Sequence, residues 1–485
     1  MTDEDRSLEL QGDALRRLIG AATERIVEYI ATLPQQPSAD TRNPALLARS
    51  LREPLPETGE PVDALLDRLF ETIIPPGFNT AAPGYLAYIP GGGIPQSAVA
   101  DLIADATNRY VGVFAAAPGL AQIEANVVGW FASIVGYPAS AGGILTTGGS
   151  LSNFSALVAA RRDRLPEDFS KGTIYVSDQT HHSIHKAAML AGIPERNVRE
   201  IPSDSDYRLR VDLLERRIAE DRAAGWTPFF VTGNAGTTNT GAVDDLEALA
   251  NLAARERLWL HADAAYGGFF ALTERGRRRM AGLDRADSIV LDPHKGLFLP
   301  YGNGCLLVRD RAALKRAHAL SADYLPAMQE DDDLPDYTLL SPELSRDWRG
   351  LRVWLPLKMH GIGPFRRNLD EKLDLAGWAA GELASIPGVE ILAGPQLSIL
   401  AFRWTRPGLS EEETDAANRE ILASVNGRAR IYLTSTKLGG RFAIRICVLS
   451  FRTHRDRMEE GLADIRAAIA ERAGGGESPS SAPPV

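Results

Sequence analysis

The sequence predicts an α/β protein built on a mainly parallel sheet, and two observations carry this prediction. Between residues 95 and 361, short β-rich runs recur at 172–177, 228–233, 258–263, 288–292 and 304–308. Helical stretches such as 212–224 and 244–256 separate most of these runs, and such alternation is typical of parallel strands joined by crossover helices. The last two runs are too close together for a helical crossover, so we expect a hairpin or an antiparallel edge there.

The segments on either side complete the predicted architecture. Residues 8–32 carry apolar side chains at helical spacing, and a Pro-rich connection follows; an amphipathic helix of this kind commonly packs on a partner subunit. Beyond residue 366, strand-like runs at 397–404 and 442–449 among helical stretches predict a smaller α+β domain, and the Gly-, Ser- and Pro-rich end predicts disorder. We therefore divide the chain into an N-terminal helical dimerisation segment, a large domain, a small domain and a disordered tail, at 1–94, 95–365, 366–472 and 473–485.

The composition excludes several classes of protein. The chain has 485 residues and a formal net charge of −10, which argues against a nucleic-acid partner because phosphate binding needs a basic face. Its two cysteines, Cys305 and Cys447, fit no metal-binding spacing and no disulfide framework, so a reducing compartment is expected. The N-terminus is acidic and polar and no apolar run approaches about 18 residues, so we expect a cytoplasmic protein with no signal peptide and no membrane partner.

A glycine-rich segment follows a short apolar run early in the predicted sheet. In an open α/β sheet, ligands collect at the carboxyl ends of the strands. The segment TTGGSLSN, 146–153, opens a helical stretch; its glycines let the backbone approach an anion, and free N–H groups at a helix start can bind a phosphate. It is neither a Walker loop nor GxGxxG. Taken alone, it fits an ordinary turn capped by Ser150 or Ser152 better.

A pair of histidines follows the run 172–177. His181 and His185 lie one helical turn apart in SDQTHHSIHK, so they could bind zinc, but metalloprotease helices place a Glu after the first His and His182 stands here. We therefore expect no metal. An imidazole lying over an aromatic ligand ring is a better use of His181, with an ordinary buried histidine as the alternative.

Three more strand ends carry related groups. Asp263 ends an apolar strand, where a carboxylate should be paired with a cation, and small residues around it leave space for something flat. NAGTTNTGAVDD, 234–245, adds hydroxyls. Lys295, in SIVLDPHKGLFLPYG, follows a buried strand, and burial would keep its amine partly neutral. Together with the phosphate loop and the imidazole, these groups are what pyridoxal 5'-phosphate (PLP) requires: the amine forms a Schiff base with the aldehyde, and the carboxylate holds the ring nitrogen protonated.

The same segments resemble those of the fold-type I, group II amino-acid decarboxylases, which include aromatic-L-amino-acid, tyrosine, histidine and glutamate decarboxylases. DPHKG resembles the family's NPHK, HADAAYGG its H-x-D-A-A-[YW]-[AG]-G, TTGGSLSN its phosphate loop and SDQTHHS its stacking-histidine segment. The resemblance extends from about residue 65 to 470. It implies a fold-type I large domain with a mainly parallel seven-stranded sheet, PLP as cofactor, and a homodimer with shared active sites.

The resemblance also implies residue roles. Lys295 would be the Schiff-base lysine, Asp263 the pyridinium partner and His181 the ring-stacking imidazole. His294 would lie near the substrate carboxylate. DDDLPDYTLL, 331–340, resembles a mobile lid whose tyrosine reprotonates the substrate carbon, which points to Tyr337, although the segment is also compatible with an acidic surface loop. The full set of expected cofactor contacts is Gly149, Ser150, His181, Thr237, Asp263, Ala265, His294 and Lys295.

The implied reaction is α-decarboxylation of an L-amino acid to the amine and carbon dioxide. Relatives that replace the lid tyrosine by Phe, or the stacking His by Asn, tend toward oxidative deamination to an aldehyde, and Tyr337 and His181 are both of the decarboxylase type. An aldehyde synthase, another PLP lyase, an aminotransferase-like enzyme and a cofactor-free binding relative remain the alternatives.

The substrate pocket departs from the aromatic-acid members of the family. Gly296 stands where they carry Trp, and Ile89 and Val113 stand where they tend to have Phe; such changes would enlarge the pocket or make it less flat. An aromatic L-amino acid is still favoured, and Arg445 is expected to be structural rather than to bind an acidic substrate. The candidate substrate contacts are Tyr88, Ile89, Pro90, Val113 and Phe114.

Overall fold

The computed structural model describes residues 8–10, 12–319, 331 and 334–474. Within these residues the strands are, in chain order, β1 Ala39–Asp40, β2 Gly77–Phe78, β3 Gly142–Thr146, β4 Gly172–Ser177, β5 Val198–Ile201, β6 Thr227–Asn234, β7 Trp259–Asp263, β8 Ser288–Leu291, β9 Gly304–Val308, β10 Val389–Ala393, β11 Ile399–Trp404, β12 Thr434–Leu438 and β13 Arg441–Cys447.

The α-helices within the same residues are α1 Gly12–Thr32, α2 Pro44–Ser50, α3 Val62–Asp67, α4 Pro95–Thr107, α5 Pro118–Ile134, α6 Gly149–Arg164, α7 Ser183–Leu190, α8 Val211–Ala223, α9 Leu246–Glu256, α10 Glu274–Arg279, α11 Pro293–Gly296, α12 Ala312–His318, α13 Arg349–His360, α14 Ile362–Ala384, α15 Glu411–Gly427 and α16 Arg455–Ala473.

A seven-stranded sheet forms the large domain, in the order β3-β9-β8-β7-β6-β4-β5. Strands β4 to β8 pair in parallel, and β9 runs antiparallel to both β8 and β3. The mainly parallel α/β fold is therefore confirmed, as is the antiparallel pairing of the last two predicted strands. However, β9 is not at the edge of the sheet, because β3 pairs with its other side.

Helix caps and apolar strands explain why this region folds as it does. Every residue of β7 and β8 is buried, as expected for strands covered by helices on both faces. Helix α9, which joins β6 to β7, begins after Asp245, whose carboxylate accepts a hydrogen bond from the Ala248 amide at 2.9 Å. The pairing of Asn234 with Asp263 then brings the carboxyl ends of β6 and β7 side by side.

The small domain is a four-stranded antiparallel sheet, in the order β10-β11-β13-β12. The runs predicted at 397–404 and 442–449 correspond to β11 and β13, whereas β10 and β12 were not predicted. Helix α14 belongs to both domains: Phe365 and Leu369 pack in the core of the large sheet, and Leu375 and Leu383 pack in the core of the small one. We therefore propose that the domain boundary lies within α14, where the sequence-based division at 365/366 also falls.

The N-terminal helix lies outside both cores. No residue of α1 is buried, and Arg25 pairs with Asp67 at the end of α3. Apolar side chains on α1, including Ile19, Ile26 and Val27, are more than two-fifths exposed. Helix α16 ends at Ala473, so the predicted disordered tail lies almost wholly outside the described residues.

None of the helices that the structure describes is long and apolar enough to cross a bilayer. Cys305 and Cys447 are buried free cysteines.

Candidate active site

A cavity of about 290 Å³ lies at the carboxyl ends of the parallel strands. All eight expected cofactor contacts line it: Gly149, Ser150, His181, Thr237, Asp263, Ala265, His294 and Lys295. A larger surface groove of about 590 Å³ near Arg275 and Gln396 contains none of them. The smaller cavity is therefore the candidate active site, because it is where the titratable groups converge.

The glycine-rich segment forms the anion-binding wall of this cavity. Helix α6 begins at Gly149 and has no acidic residue in its first turn. The amides of Gly149 and Ser150 stand at the helix start, where a helix provides no internal acceptor. Gly148 has φ of 156°, which favours glycine. The hydroxyls of Thr146 and Ser152 share a hydrogen bond of 2.8 Å that stabilises the turn. This wall is suited to a phosphate.

Asp263 is held at the end of β7 by two hydrogen bonds. Its Oδ1 accepts from the Ala265 amide at 3.2 Å, and its Oδ2 accepts from Asn153 Nδ2 at 3.2 Å. Asp263 is 8% exposed and lines the cavity. The two hydrogen bonds give its carboxylate a fixed orientation there. A buried carboxylate in this position can bind a flat cation such as a protonated pyridine.

The orientation of Asn153 is itself fixed by a buried chain of hydrogen bonds. Trp259 Nε1 donates to Ser288 Oγ at 2.8 Å, and Ser288 Oγ lies 2.8 Å from His261 Nδ1. His261 then donates from Nε2 to Asn153 Oδ1 at 2.9 Å. Burial lowers the pKa of His261 to about 4, so the ring is neutral near pH 7. Because the Asp263 carboxylate can only accept, the amide NH₂ of Asn153 points toward it and Oδ1 points toward His261, which fixes the proton of the neutral ring on Nε2.

The same amide connects to His181. Asn153 Nδ2 donates to Ser183 Oγ at 2.8 Å, and Ser183 Oγ lies 2.8 Å from His181 Nδ1. Because the Ser183 amide also donates to Nδ1, at 3.3 Å, this nitrogen is the acceptor and Nε2 carries the proton. Burial lowers the pKa of His181, against the opposing charge of Asp263. His181 is thus a neutral imidazole on the cavity wall.

Lys295 has a partner that the sequence did not predict. It lies on the single-turn helix α11, and its Nζ is 2.9 Å from Asp292 Oδ2. Burial by itself would lower the pKa of Lys295, but the charge and hydrogen bond of Asp292, with Asp263 beyond it, raise that pKa above its ordinary value. The expectation of a partly neutral amine is therefore wrong for this arrangement, because a second carboxylate lies beside it.

His294 and Thr237 complete the wall of the cavity. His294 Nδ1 donates to the Asn303 carbonyl at 2.6 Å, which leaves Nε2 3.7 Å from Asp292 Oδ2. Burial lowers the pKa of His294, while Asp292 acts in the opposite direction. Thr237 Oγ1 lies 2.8 Å from Thr240 Oγ1, so its hydroxyl is held within the loop that follows β6.

Tyr337 is not in the cavity. It is 1% exposed, its hydroxyl donates to the Ala121 carbonyl at 3.3 Å, and the Arg346 guanidinium lies 4.7 Å from its ring centroid. The side chain is part of a hydrophobic core in this chain, so the role of Tyr337 as a proton donor on a mobile lid stays a prediction. Of the predicted lid, residues 332 and 333 lie outside the described residues.

The candidate substrate contacts do not line the cavity. Ile89 and Val113 are buried, whereas Tyr88 is 55% exposed with φ of 49°. The set Tyr88, Ile89, Pro90, Val113 and Phe114 is absent from the cavity lining formed by the described chain. Arg445 donates to the carbonyls of Thr238 at 3.0 Å and Tyr88 at 2.7 Å, which supports the structural role expected for it.

Gly296 does not enlarge the cavity. A Cβ placed on Gly296 would lie 2.8 Å from the Cβ of Phe269, and Phe269 is fully buried against Phe131 with ring centroids 5.0 Å apart. The direction that a side chain at 296 would take is therefore already filled by Phe269, so the expected gain in pocket space at this position is wrong.

Sequence reasoning missed Asn153, Ser183, His261 and Asp292 as parts of the site. Spacing could have found two of them: His261 precedes Asp263 by two residues on one strand, and Asp292 precedes Lys295 by three residues at a helix start. Asn153 and Ser183 carried no comparable signal, because short polar side chains at helix starts are usually caps.

The residues present fit PLP. Helix-start amides suit its phosphate, Asp263 suits its ring nitrogen, Lys295 suits its aldehyde, and Ala265 leaves the floor of the cavity flat.

Comparison with known proteins supports this fit. Residues 44–405 match the model of the pyridoxal-dependent decarboxylase conserved domain. The aromatic-L-amino-acid decarboxylase of Bacillus atrophaeus is 33% identical over 467 residues, which cover 96% of this chain and 97% of the relative.

Two crystal structures are similar along almost their whole length. The tryptophan decarboxylase of Catharanthus roseus in complex with L-tryptophan has a TM-score of 0.90 at 26% identity, over 96% of this chain and 100% of that one. The 4-hydroxyphenylacetaldehyde synthase of Rhodiola rosea has a TM-score of 0.88 at 25% identity, over 95% and 99%. With the family model matching most of the sequence, the chain belongs to the pyridoxal-dependent decarboxylases and is a PLP-dependent carboxy-lyase.

Proposed function

We propose that this enzyme removes the α-carboxylate of an aromatic L-amino acid and releases the amine and carbon dioxide. The observation that carries the proposal is the meeting of Lys295, Asp263 and a neutral His181 around one cavity. Bound PLP supplies a ring that accepts the electron pair left behind when the carboxylate departs. The side chains of the cavity then determine how that ring is held, charged and shielded.

Each side chain has a distinct proposed task. Lys295 provides the amine that bonds to the cofactor aldehyde. Asp263 keeps a proton on the ring nitrogen, because Asn153 and the Ala265 amide hold its carboxylate in place. His181 packs on the ring as a neutral imidazole, which avoids repulsion between two cations.

His294 and the glycine-rich wall would bind the two anionic ends of the ligands. The amides of Gly149 and Ser150 bind the cofactor phosphate, with Thr237 as an additional hydroxyl. His294 contacts the substrate carboxylate once Nε2 holds a proton; burial lowers the pKa of His294 and disfavours that charged form, while Asp292, 3.7 Å away, acts against burial.

An aromatic side chain beside the cavity supports an aromatic substrate. The ring of Tyr301, which is 58% exposed, lies 5.5 Å from that of His294 between centroids. Elsewhere in the described chain, the ring of Phe78 lies 6.0 Å from that of Tyr88 and 4.9 Å from that of Tyr432 between centroids. Such surfaces favour flat apolar ligands, and the names of the relatives point to the same class.

Oxidative conversion to an aldehyde is the second candidate. The location of Tyr337 supports this second candidate, because the residue expected to favour the amine over the aldehyde lies in a hydrophobic core instead of the cavity. A relative named as an aldehyde synthase shares this fold over 95% of the chain. The two reactions differ in their need for oxygen, so they can be separated directly.

A substrate screen tests the reaction. Holoenzyme is incubated with each of the common L-amino acids while carbon dioxide, oxygen uptake and hydrogen peroxide are measured and products are identified by mass spectrometry. We expect tryptophan, tyrosine or phenylalanine to give amine and carbon dioxide in equal amounts, with uptake of a proton and no use of oxygen. Lys295→Ala is the inactive control. Oxygen uptake matching carbon dioxide would instead assign the aldehyde reaction, and a preference for glutamate would refute the aromatic substrate.

The Tyr337→Phe variant tests whether Tyr337 takes part in the reaction. We expect it to lose about 1 kcal/mol of unfolding free energy, the worth of one buried hydrogen bond, and to keep the ratio of amine to aldehyde of the parent enzyme. Tyr324→Phe is measured in parallel, because it alters a second tyrosine near Tyr337 in the sequence that lies outside the described residues. Product analysis that shows a shift to aldehyde in Tyr337→Phe would support Tyr337 as the proton donor.

We propose that the enzyme is a homodimer whose subunits share their active sites. The exposed apolar face of α1 is typical of a protein interaction surface, and Val113 and Phe114 do not line the cavity of their own chain.

Sedimentation equilibrium should give about twice the chain mass of 52.5 kDa. The double variant Ile19→Glu, Ile26→Glu should shift the mass toward one chain, whereas Glu28→Gln on the opposite face should not. A parent protein of single-chain mass would contradict the proposal.

A further inference from the structure

Asp292 is a buried carboxylate to which the decarboxylation itself gives no direct task. It follows β8 and is 2% exposed. Its Oδ2 lies 2.9 Å from Lys295 Nζ, but its Oδ1 has no hydrogen-bond partner among the described residues. A buried carboxylate oxygen without a partner is costly, so this arrangement needs an explanation beyond packing.

The carboxylate also faces the anion-binding wall. A Cβ placed on Gly149 would lie 3.0 Å from Asp292 Oδ2 and 3.4 Å from Oδ1. The Gly149 amide is one of the groups that the proposed function gives to the cofactor phosphate. A phosphate monoester carries about −1.5 to −2 charges near pH 7, so a phosphate on this wall and the Asp292 carboxylate would be close like charges.

We propose that Asp292 is a positioning residue that sets the affinity of the site for the phosphorylated cofactor. It holds the Lys295 ammonium group within the cavity, and it opposes the phosphate that the neighbouring wall attracts. This inference rests on the proposed assignment of the cavity as the cofactor site. The consequence is a moderate affinity for PLP, because the phosphate contributes less binding free energy than it would at the helix start without Asp292.

The charges around Asp292 support this role. Among the residues that the structure describes, Lys295 is the cation paired with Asp292, and His294 Nε2 at 3.7 Å is charged only when protonated. When Lys295 bonds to the cofactor, its ammonium is no longer free to balance the carboxylate in the same way. Asparagine at 292 would keep the shape, remove the charge and present an N–H to a phosphate. It is also the first residue of the NPHK segment that DPHKG resembles.

Comparing PLP with pyridoxal, which lacks the phosphate, isolates the effect. The full-length enzyme is freed of cofactor, and the dissociation constants of PLP and pyridoxal are measured by absorbance titration for the parent and for Asp292→Asn. We expect the ratio of the pyridoxal constant to the PLP constant to rise at least about tenfold in Asp292→Asn, equivalent to about 1.4 kcal/mol. Effects on Lys295 alone would alter both ligands equally and leave this ratio unchanged.

Two further variants make the test independent of folding defects. Asp292→Ser should also raise the ratio of the pyridoxal constant to the PLP constant, so the test can still be made if Asp292→Asn folds poorly. Asp287→Asn is the matched control, because Asp287 precedes the same strand at its opposite end and accepts from the Leu260 amide at 2.8 Å; its ratio should equal that of the parent.

The outcomes separate this inference from the assignment of the site. If both ligands bind the parent at Lys295 but the ratio is the same in every variant, the role of Asp292 is refuted and the cofactor site stands. If the parent binds neither ligand at Lys295, the cofactor site is refuted and the role of Asp292 falls with it.

Discussion

The parallel pairing of β7 with β8 is the constraint on which the rest of the site depends. Asp263 lies opposite Val290 in this ladder, so the residues that follow the two strands leave the sheet at the same edge. That edge is where Asp263 meets Asp292 and Lys295. A slip of one residue would turn Asp263 to the other face of the sheet. Burial of every residue in both strands prevents such a slip, because it fixes which side chains face which layer of helices.

Hydrogen bonds orient the side chains at this edge of the sheet. The chain from Trp259 through His261 to Asn153 has a single consistent direction of donation, and it ends on Asp263 as an acceptor. Fully satisfied buried networks of this kind are rigid. Asp292 differs, because one of its oxygens has no partner within the described chain. The site thus combines one carboxylate that is fully held with another that remains available to respond to a ligand.

The sequence predicted the large sheet and pointed to eight residues that line one cavity because these features are local. Apolar runs and the groups that follow them can be recognised in a few residues. The partner of Lys295 and the chain through His261 depend on contacts between distant segments, which no local pattern encodes. Tyr337 was expected on a lid because its segment resembles that of the family, whereas contacts with the distant Ala121 carbonyl and with Arg346 bury it in this chain. The space expected at Gly296 was likewise decided by Phe269, from a different strand-to-helix connection.

The most direct test of the central claim is to identify the residue that carries the cofactor. Borohydride reduction of the yellow holoenzyme, followed by peptide mass spectrometry, should place a stable phosphopyridoxyl group on Lys295, out of the seven lysines of the chain. Attachment to a different lysine, or a colourless protein that gains no mass, would contradict the account.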